Sequence, residues 1–293
     1  MDREALYQGW LVRLETSWQG LPDKPDETAA DTLRTLWSFV SGWPEPLDGL
    51  PPLDDAAAAR MEALVARRLS GEPLAYLVGR QQFMGLELLA GPGAMIPRKE
   101  TEILGQAALG LLQALVQERQ NVTVLDLCTG SGNIALLLAW RVPQCRVWGG
   151  DISAYAVQMA VRNAQALKLA DRVQFRIGDF LEPFETGDYW AGMDLITCNP
   201  PYISTARAEK MAHEISGFEP RLAFDGGPFG IRLLTRLVKE TPRFLKPGGW
   251  VVCEVGLGQG EAMLRMFKKM PVYRQVRTFA DEAGDMRALA AQV

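Results

Sequence analysis

Four consecutive residues, Asn199-Pro200-Pro201-Tyr202, carry the most informative chemistry in the sequence. They follow an apolar run at 193–198, which is typical of a buried strand. Two successive prolines fix φ and supply no N–H, so the loop is stiff and its carbonyl groups remain available to a ligand. The Asn199 amide oxygen and the Pro200 carbonyl can accept both hydrogens of one NH2 group. Tyr202 offers a ring face on which a flat amide or a base can stack.

A loop of this kind suits methylation of a planar, sp2-bound nitrogen. The lone pair of a carboxamide or an exocyclic amine is delocalised, and two acceptors that pull on its hydrogens return electron density to the nitrogen. Holding that nitrogen about 3 Å from a methyl donor supplies an orientation term, and the acceptors stabilise the charge that develops during transfer. We therefore predict Asn199, Pro200 and Tyr202 as catalytic residues, and these three together with Pro201 as the substrate-binding loop.

A glycine-containing turn indicates where a methyl donor would bind. A strand-like run ends near Leu127 and leads into Thr129-Gly130-Ser131-Gly132-Asn133, after which a helical pattern begins. The glycines let the backbone turn tightly and approach a ligand, and the N–H groups at the start of the helix favour a carboxylate or a phosphate. Alone this pattern is weak evidence, because nucleotide-binding Rossmann proteins share it.

Two further strand ends complete the predicted cofactor site. Asp151 ends the next strand, about 20 residues beyond the glycines, where a carboxylate can accept hydrogen bonds from ribose hydroxyls. Gly178-Asp179-Phe180 follows the strand after that and places an acidic side chain and a ring where an adenine could rest. A dinucleotide-binding protein would normally carry Gly-x-Gly-x-x-Gly, whereas Ala135 stands at the last glycine position. We predict cofactor contacts from the turn, Asp151, Asp179, Phe180 and Asn199.

The elements that must position these residues alternate along the second part of the chain. Apolar runs separated by helical stretches predict strands at 122–128, 145–150, 173–177, 193–198 and 249–255. Such alternation is typical of an α/β fold, in which a mostly parallel, doubly wound sheet is covered by helices on both faces. Ligands of these sheets bind beyond the carboxyl ends of the strands, where the two motifs fall.

The N-terminal quarter has a different pattern. Apolar residues recur at helical spacing up to about residue 69, which predicts a small helical bundle at 1–72. Short strand-like runs at 77–79 and 83–88 predict a β-hairpin linker at 73–96. The catalytic domain then spans 97–293 and begins with a helix at 100–116.

Composition limits the partners that we expect. The formal net charge is −4, so the basic field that non-specific nucleic-acid binding needs is missing, and no direct nucleic-acid partner is expected. The four cysteines form no C-x-x-C pair, which indicates reduced, buried thiols, and one histidine, His213, is too few for a histidine-based metal site. No stretch approaches the roughly 20 apolar residues of a membrane span, and the first residues carry no signal core. We therefore expect a cytoplasmic protein with no membrane partner and no metal.

Charged residues outside the two motifs predict solvated surfaces. Glu214 and Glu219 follow the Asn199 loop and are expected as solvated carboxylates, with His213 also at the surface. Arg67 and Arg68, together with Arg60, mark one helix and predict a solvated helix face.

Further motifs lie at 71–77, 83–86, 96–102, 218–224 and 245–249. Together with the glycine turn and the Asn199 loop, they give a chain that resembles the HemK/PrmC family of protein-(glutamine-N5) methyltransferases over nearly its whole length. Members of this family modify the glutamine of the Gly-Gly-Gln (GGQ) motif in peptide chain release factors. Three positions depart from the family's pattern, because Lys99, Phe180 and Phe229 stand where relatives often have Pro, Trp and an acidic residue.

The resemblance implies a Rossmann-like class I methyltransferase fold with a seven-stranded, mostly parallel sheet, preceded by a helical domain that helps to grip the release factor. It implies S-adenosyl-L-methionine as the methyl donor, S-adenosyl-L-homocysteine as the product, and the GGQ loop of a release factor as the protein substrate.

Other acceptors fit the same loop. A glutamine of a ribosomal protein is one, and the pattern at 97–102 favours the release factor over it. An exocyclic amine of a flipped base is another, although the basic surface expected for it is missing. A small-molecule amine, or a binding module without activity, would also retain the cofactor pocket. Intact Asn199 and Gly130 argue against the loss of activity.

Overall fold

The structure is a computed structural model that describes residues 3–17, 27–44 and 49–293. The chain forms two compact units. Unit 1 comprises residues 1–80 together with 212–218, and unit 2 comprises residues 81–211 and 219–293. The division at residue 80 falls inside the segment that we predict as a linker.

Unit 1 is helical. Its helices are α1 (Arg3–Ser17), α2 (Ala29–Ser41), α3 (Asp55–Leu69) and α4 (Leu74–Val78). Asp54 accepts a hydrogen bond from the backbone N–H of Ala57 and so caps the start of α3. The helices pack around a core that includes Leu33, Trp37 and Met61, all fully buried. The predicted helical bundle therefore has a hydrophobic core of its own.

The strand predicted at 77–79 is wrong. Leu77 and Val78 belong to α4, which begins after Pro73 and ends at Gly79. Proline fixes a backbone angle that suits the start of a helix, and Gly79 has a φ of +74°, which is typical of a helix end. Pro73 and Gly79 thus mark the two ends of a short helix. The apolar pair Leu77 and Val78 is too short to show a periodicity that distinguishes a helix from a strand.

Two charged residues of unit 1 are buried, contrary to the prediction of solvated side chains. Arg68 is 7% exposed and Glu214 is 8% exposed. The Arg68 guanidinium donates hydrogen bonds to Glu214 Oε2 at 2.7 Å and to Glu27 Oε1 at 2.8 Å. Burial is tolerated because each charge has a hydrogen-bonded partner. His213 is exposed, as predicted.

Unit 2 begins with a two-stranded hairpin and continues as an alternation of strands and helices. The hairpin strands are β1 (Arg80–Phe83) and β2 (Leu86–Leu89). The other elements are α5 (Thr101–Glu118), β3 (Val122–Leu127), α6 (Asn133–Arg141), β4 (Cys145–Asp151), α7 (Ala154–Ala166), β5 (Val173–Ile177), β6 (Met193–Cys198), α8 (Thr205–Ala208), α9 (His213–Ser216, which belongs to unit 1), α10 (Arg232–Glu240), β7 (Leu245–Glu254), α11 (Gly260–Lys269), β8 (Gln275–Ala280) and β9 (Met286–Gln292). All five predicted strands are present.

The main sheet has seven strands in the order β5-β4-β3-β6-β7-β9-β8. Strands β3 to β7 pair in parallel, whereas β9 is antiparallel to both β7 and β8. The predicted seven-stranded, mostly parallel sheet is confirmed. The chain runs outward from β3 to β5 and then returns to place β6 on the other side of β3. This reversal is the switch point at which open α/β sheets bind their ligands.

Buried side chains cover both faces of the sheet. One core includes residues of α5 and α6, and the other includes residues of α10 and α11. The four cysteines are free, and three of them are buried, as predicted. In the described ranges, no helix combines the length and the apolar character that a membrane crossing requires.

Candidate active site

One cleft lies at the carboxyl ends of the central strands, with an empty volume of about 1010 Å³ including its open mouth. It brings together most of the residues predicted from the sequence. The predicted residues that line it are Thr129, Gly130, Ser131, Asn133, Asp151, Asp179, Phe180, Asn199 and Pro201. Gly132, Pro200 and Tyr202 are not among its lining residues.

The two glycines of the turn after β3 have different structural roles. Gly130 has a φ of +56°, and a Cβ atom there would meet nothing within 4 Å, so the turn leaves open space beside it. Gly132 has a φ of +85°, and its Cβ would lie only 3.1 Å from Ala160. Gly130 therefore leaves room for a ligand, whereas Gly132 permits close packing behind the turn.

A buried carboxylate that sequence reasoning did not assign to the site holds this turn. Asp126 Oδ2 accepts the Thr129 hydroxyl at 2.6 Å, and Oδ1 accepts the Thr197 hydroxyl, also at 2.6 Å. Complete burial raises the pKa of Asp126 to about 6, against the effect of these hydrogen bonds. Because Thr197 lies on β6, Asp126 joins the glycine turn to the strand that leads into Asn199.

Asp151 lines the cleft beside the glycine turn. Its Oδ2 accepts the Gly130 N–H and its Oδ1 accepts the Ser153 N–H, each at 2.9 Å. Burial raises the pKa of Asp151, and the backbone N–H groups oppose that shift. Each carboxylate oxygen has a further lone pair that can accept a hydrogen bond from a ligand.

Asp179 and Phe180 line the far end of the cleft. Arg236 donates to both oxygens of Asp179, and its guanidinium lies 4.9 Å from the centre of the Phe180 ring. The Phe180 side chain is buried, with a backbone φ of +57°. Arg236 was not identified from the sequence, because the contact joins positions 57 residues apart.

Asn199 follows β6 with its amide orientation fixed. Its Nδ2 donates to Thr101 Oγ1 at 3.2 Å, across 98 residues of sequence. Asn199 Oδ1 is thereby left as an acceptor next to the cleft. Thr101 is the first residue of α5 and is fully buried, so the anchor itself is rigid.

Tyr202, which we predict as a stacking face, is held by contacts at its hydroxyl and beside its ring. Its hydroxyl donates to Glu254 Oε1 at 2.8 Å, and burial raises the pKa of Tyr202 well above its ordinary value. The ring lies against Gly256, where a Cβ would come within 2.9 Å of Tyr202 Cδ2. Tyr202 is partly buried, and its contacts support the loop that begins at Asn199.

Glu219 is buried rather than solvated, which contradicts its prediction. It is 4% exposed, accepts the Ile96 N–H at 2.9 Å and pairs with Arg98. Its neighbours Pro97 and Pro220 line the cleft. Glu219 thus ties together two segments of the cleft wall, which explains why this carboxylate can be buried.

The loop that carries Phe229 packs on the backbone of the Asn199 loop. A Cβ on Gly226 would lie 2.5 Å from the Pro201 carbonyl oxygen, and a Cβ on Gly230 would lie 2.1 Å from that of Tyr202. Only glycines permit this contact. Phe229 itself is 81% exposed.

Comparisons with known proteins show the family to which the chain is similar. Residues 118–256 match a family model described as a methyltransferase domain, and residues 21–79 match one described as the PrmC N-terminal domain. A release factor glutamine methyltransferase of Moorella thermoacetica is 38% identical over 239 residues, covering 82% of this chain and 81% of that protein. The corresponding protein of Xylella fastidiosa is 42% identical over 212 residues, covering 72% and 74%.

A more distant likeness is found among solved structures. The catalytic domain of hMettl16, solved in complex with the MAT2A 3'UTR hairpin 6, is 15% identical with a TM-score of 0.52. The match covers 81% of this chain and 82% of that one. At this identity the likeness shows the fold alone.

Proposed function

Since the chain belongs to the family of release factor glutamine methyltransferases, we propose that it transfers the methyl group of S-adenosyl-L-methionine to the side-chain amide nitrogen (N5) of the GGQ glutamine in a peptide chain release factor. One observation carries the proposal: a single cleft joins the open glycine turn to an asparagine whose amide is fixed with its oxygen available. The N–CH3 bond forms as the S–CH3 bond breaks, and the products are the N5-methylated glutamine, S-adenosyl-L-homocysteine and the proton that the amide nitrogen loses.

The residues of the glycine turn fit the donor. Gly130 leaves open space, and the Ser131 hydroxyl lines the cleft although its buried Oγ has no hydrogen-bond partner in the structure. A buried hydroxyl without a partner costs free energy unless a ligand satisfies it. Asp151 would accept the ribose hydroxyls, and Asp179 and Phe180 would border the adenine. When bound, the donor supplies an electrophilic methyl group on a positively charged sulfur.

The charge of the cleft supports a cationic ligand. Asp126 and Asp151 accept hydrogen bonds only from hydroxyl and backbone N–H groups in the described part of the chain, so no cationic side chain neutralises them there. Carboxylates in this state produce a negative potential. That potential stabilises a sulfonium more than the neutral thioether that remains after transfer.

The Asn199 loop would hold the acceptor. Asn199 Oδ1 and the Pro200 carbonyl would accept the two amide hydrogens of the glutamine, which orients its nitrogen and restores electron density to it. Thr101 prevents the Asn199 amide from rotating, because it occupies Nδ2. Tyr202 and the glycines of the Phe229 loop hold the backbone on which Pro200 and Pro201 lie.

Unit 1 would provide recognition of the protein substrate. It contains the segment that matches the PrmC N-terminal domain, and it has a core of its own. A glutamine amide offers few atoms for specificity, so a second surface is needed to select one protein among many that carry glutamine.

A methyl-transfer assay tests the proposed function. The full-length protein and labelled S-adenosyl-L-methionine are incubated separately with a release factor, the same factor with its GGQ glutamine replaced by alanine, a ribosomal protein preparation, and tRNA. We expect label on the intact factor and none on the substituted one. Transfer to the ribosomal protein or to tRNA, without transfer to the factor, would replace this proposal with one of the two alternatives.

A further inference from the structure

Glu254 lies beside Asn199 although 55 positions separate them in sequence. It is the last residue of β7, and Cys198 of β6 pairs in register with Cys253 of β7. The two strands are parallel, so Asn199 and Glu254 occupy neighbouring positions at the carboxyl edge of the sheet. Glu254 is 1% exposed and lies outside the set of residues that the sequence predicts.

Glu254 holds one end of Tyr202. Its Oε1 accepts the Tyr202 hydroxyl at 2.8 Å. The other end of the tyrosine is held by Gln259, whose Nε2 donates to the Tyr202 carbonyl oxygen at 2.9 Å. Since Tyr202 closes the tetrapeptide that begins at Asn199, the two contacts fix the end of the loop that we propose to bind the acceptor.

The first residue of the loop has an anchor of its own, because Asn199 Nδ2 donates to Thr101 Oγ1 at 3.2 Å. Glu254 therefore acts on the loop at its last residue, Tyr202, and its second oxygen, Oε2, is buried without a hydrogen-bond partner among the described residues.

The carboxylate is costly to keep at this position. Burial raises the pKa of Glu254 to about 6, while Tyr202, Thr101 and Arg287 lower it and Glu100 raises it. In residues 3–17, 27–44 and 49–293, no cation forms a direct ion pair with Glu254. A buried charge without an ion pair is destabilising compared with an apolar side chain. A functional reason for the residue is therefore needed.

We propose that Glu254 is a positioning residue for methyl transfer, whose carboxylate fixes Tyr202 and, through it, the end of the loop that begins at Asn199, so that the acceptors of the loop meet the amide hydrogens of the substrate. The inference rests on the proposed function. Glu254 does not touch the reacting atoms, and the rate depends on it because a small displacement of the acceptors weakens the orientation of the nitrogen.

The test compares steady-state kinetics of the full-length protein, with release factor as substrate, for Glu254→Ala, Glu254→Gln and Tyr202→Phe. Glu254→Ala is expected to lower kcat about 30- to 100-fold, because misplacement by a fraction of an ångström to 1 Å has that effect. Affinity for the donor should change less than about threefold, since the glycine turn is untouched. The double variant Tyr202→Phe with Glu254→Ala should be no slower than Glu254→Ala alone, because the two residues act as one unit.

The variant Glu254→Gln distinguishes a role of Glu254 in positioning the loop from a role in folding. Glutamine keeps an acceptor for Tyr202 but never carries the charge. The ratio of wild-type kcat to that of Glu254→Gln is therefore expected to fall from about fivefold at about pH 8 to near one at about pH 5, as the wild-type carboxyl gains its proton. The groups that face it, Glu100, Arg287 and Tyr202, are present in both proteins, so their effects cancel in this ratio.

A matched control is Asp194→Asn, which removes another buried carboxylate from the same sheet at its opposite edge. Its kcat should remain within about threefold of the wild-type value. The inference is overturned if Glu254→Ala also stays within that range, if the double variant shows multiplied losses, or if the ratio for Glu254→Gln does not change with pH. If the wild-type protein does not methylate the factor at all, the proposed function fails instead.

Discussion

Carboxylates have opposite surroundings at the amino edge of the main sheet, where the parallel strands begin, and at its carboxyl edge, where they end. At the amino edge, Asp194 is the second residue of β6 and accepts hydrogen bonds from Lys246 at 2.6 Å, Arg119 at 2.8 Å and the Thr123 N–H at 2.9 Å. Burial alone would raise the pKa of Asp194, but these donors outweigh it and hold the pKa below its ordinary value. Lys246 and Arg119 therefore neutralise the charge of Asp194 by direct contact.

At the carboxyl edge, three carboxyl groups have raised pKa values, and two of them, Asp126 and Glu254, are fully buried. Burial raises the pKa of Asp126 and that of Glu254 to about 6, and it also raises the pKa of Asp151. In the described part of the chain, their hydrogen bonds come from hydroxyl and backbone N–H groups rather than from lysine or arginine. At the amino edge the charge contributes to stability, whereas we propose that at the carboxyl edge it serves a positively charged ligand and the loop that would hold the acceptor.

The largest effect is expected from Asn199→Ala at the carboxyl edge. The substitution removes one of the two acceptors for the substrate amide, and loss of one such group in an active site lowers kcat by about 100- to 1000-fold. Donor affinity, measured by calorimetry, should fall only a few-fold because the glycine turn remains. A kcat near that of the wild type would show that Asn199 does not hold the substrate amide.

Asp194→Asn at the amino edge should change stability instead of rate. Removing one member of a buried charge group leaves Lys246 and Arg119 without their counterion, which costs about 3 kcal/mol in the free energy of unfolding. Because the folded-state pKa of Asp194 is lowered, its stabilisation is complete above about pH 4 and is lost as the pH falls further. Denaturant unfolding across this range should give a shallower acid decline for the variant than for the wild type.

Equal stability of the two proteins at neutral pH would contradict the contrast between the edges. An acid decline of stability that is unchanged in the variant would contradict the contrast as well, because Asp194 would then contribute nothing to that decline.

Asp151→Asn is expected to have the smallest of the three effects. The asparagine retains one acceptor, but its amide nitrogen would face a backbone N–H of Gly130 or Ser153. Loss of one hydrogen bond to a charged group costs about 1.5 to 3 kcal/mol, so the Kd for the donor should rise roughly 10- to 100-fold. Unchanged donor affinity in calorimetry would remove Asp151 from the cofactor site.

The parts of the fold that depend on local patterns could be predicted from the sequence. Each parallel strand is a continuous apolar run, and the glycine turn and the Asn199 loop directly follow two of them. The carboxyl ends of adjacent parallel strands lie at one edge, so these two motifs could be placed together before the structure was known. Strands β8 and β9 carry no comparable signal; the family resemblance implied a sheet of seven strands but gave no position for these two.

The residues that support the site could not be predicted, because their partners are distant in sequence. Thr101 and Asn199 are 98 residues apart, and Tyr202 and Glu254 are 52 apart. The burial of Arg68 and Glu219 could not be predicted for the same reason, since each charge is compensated by a partner more than 100 residues away. Composition alone assigns such charges to the surface, where most charged residues lie.

The most direct test of the central claim is a crystal structure of the protein with S-adenosyl-L-homocysteine and a peptide that contains the GGQ glutamine. We expect Asn199 Oδ1 and the Pro200 carbonyl oxygen within about 3 Å of the glutamine amide nitrogen, with that nitrogen facing the sulfur of the bound product. A glutamine amide bound elsewhere, or an Asn199 side chain turned away from it, would contradict the account.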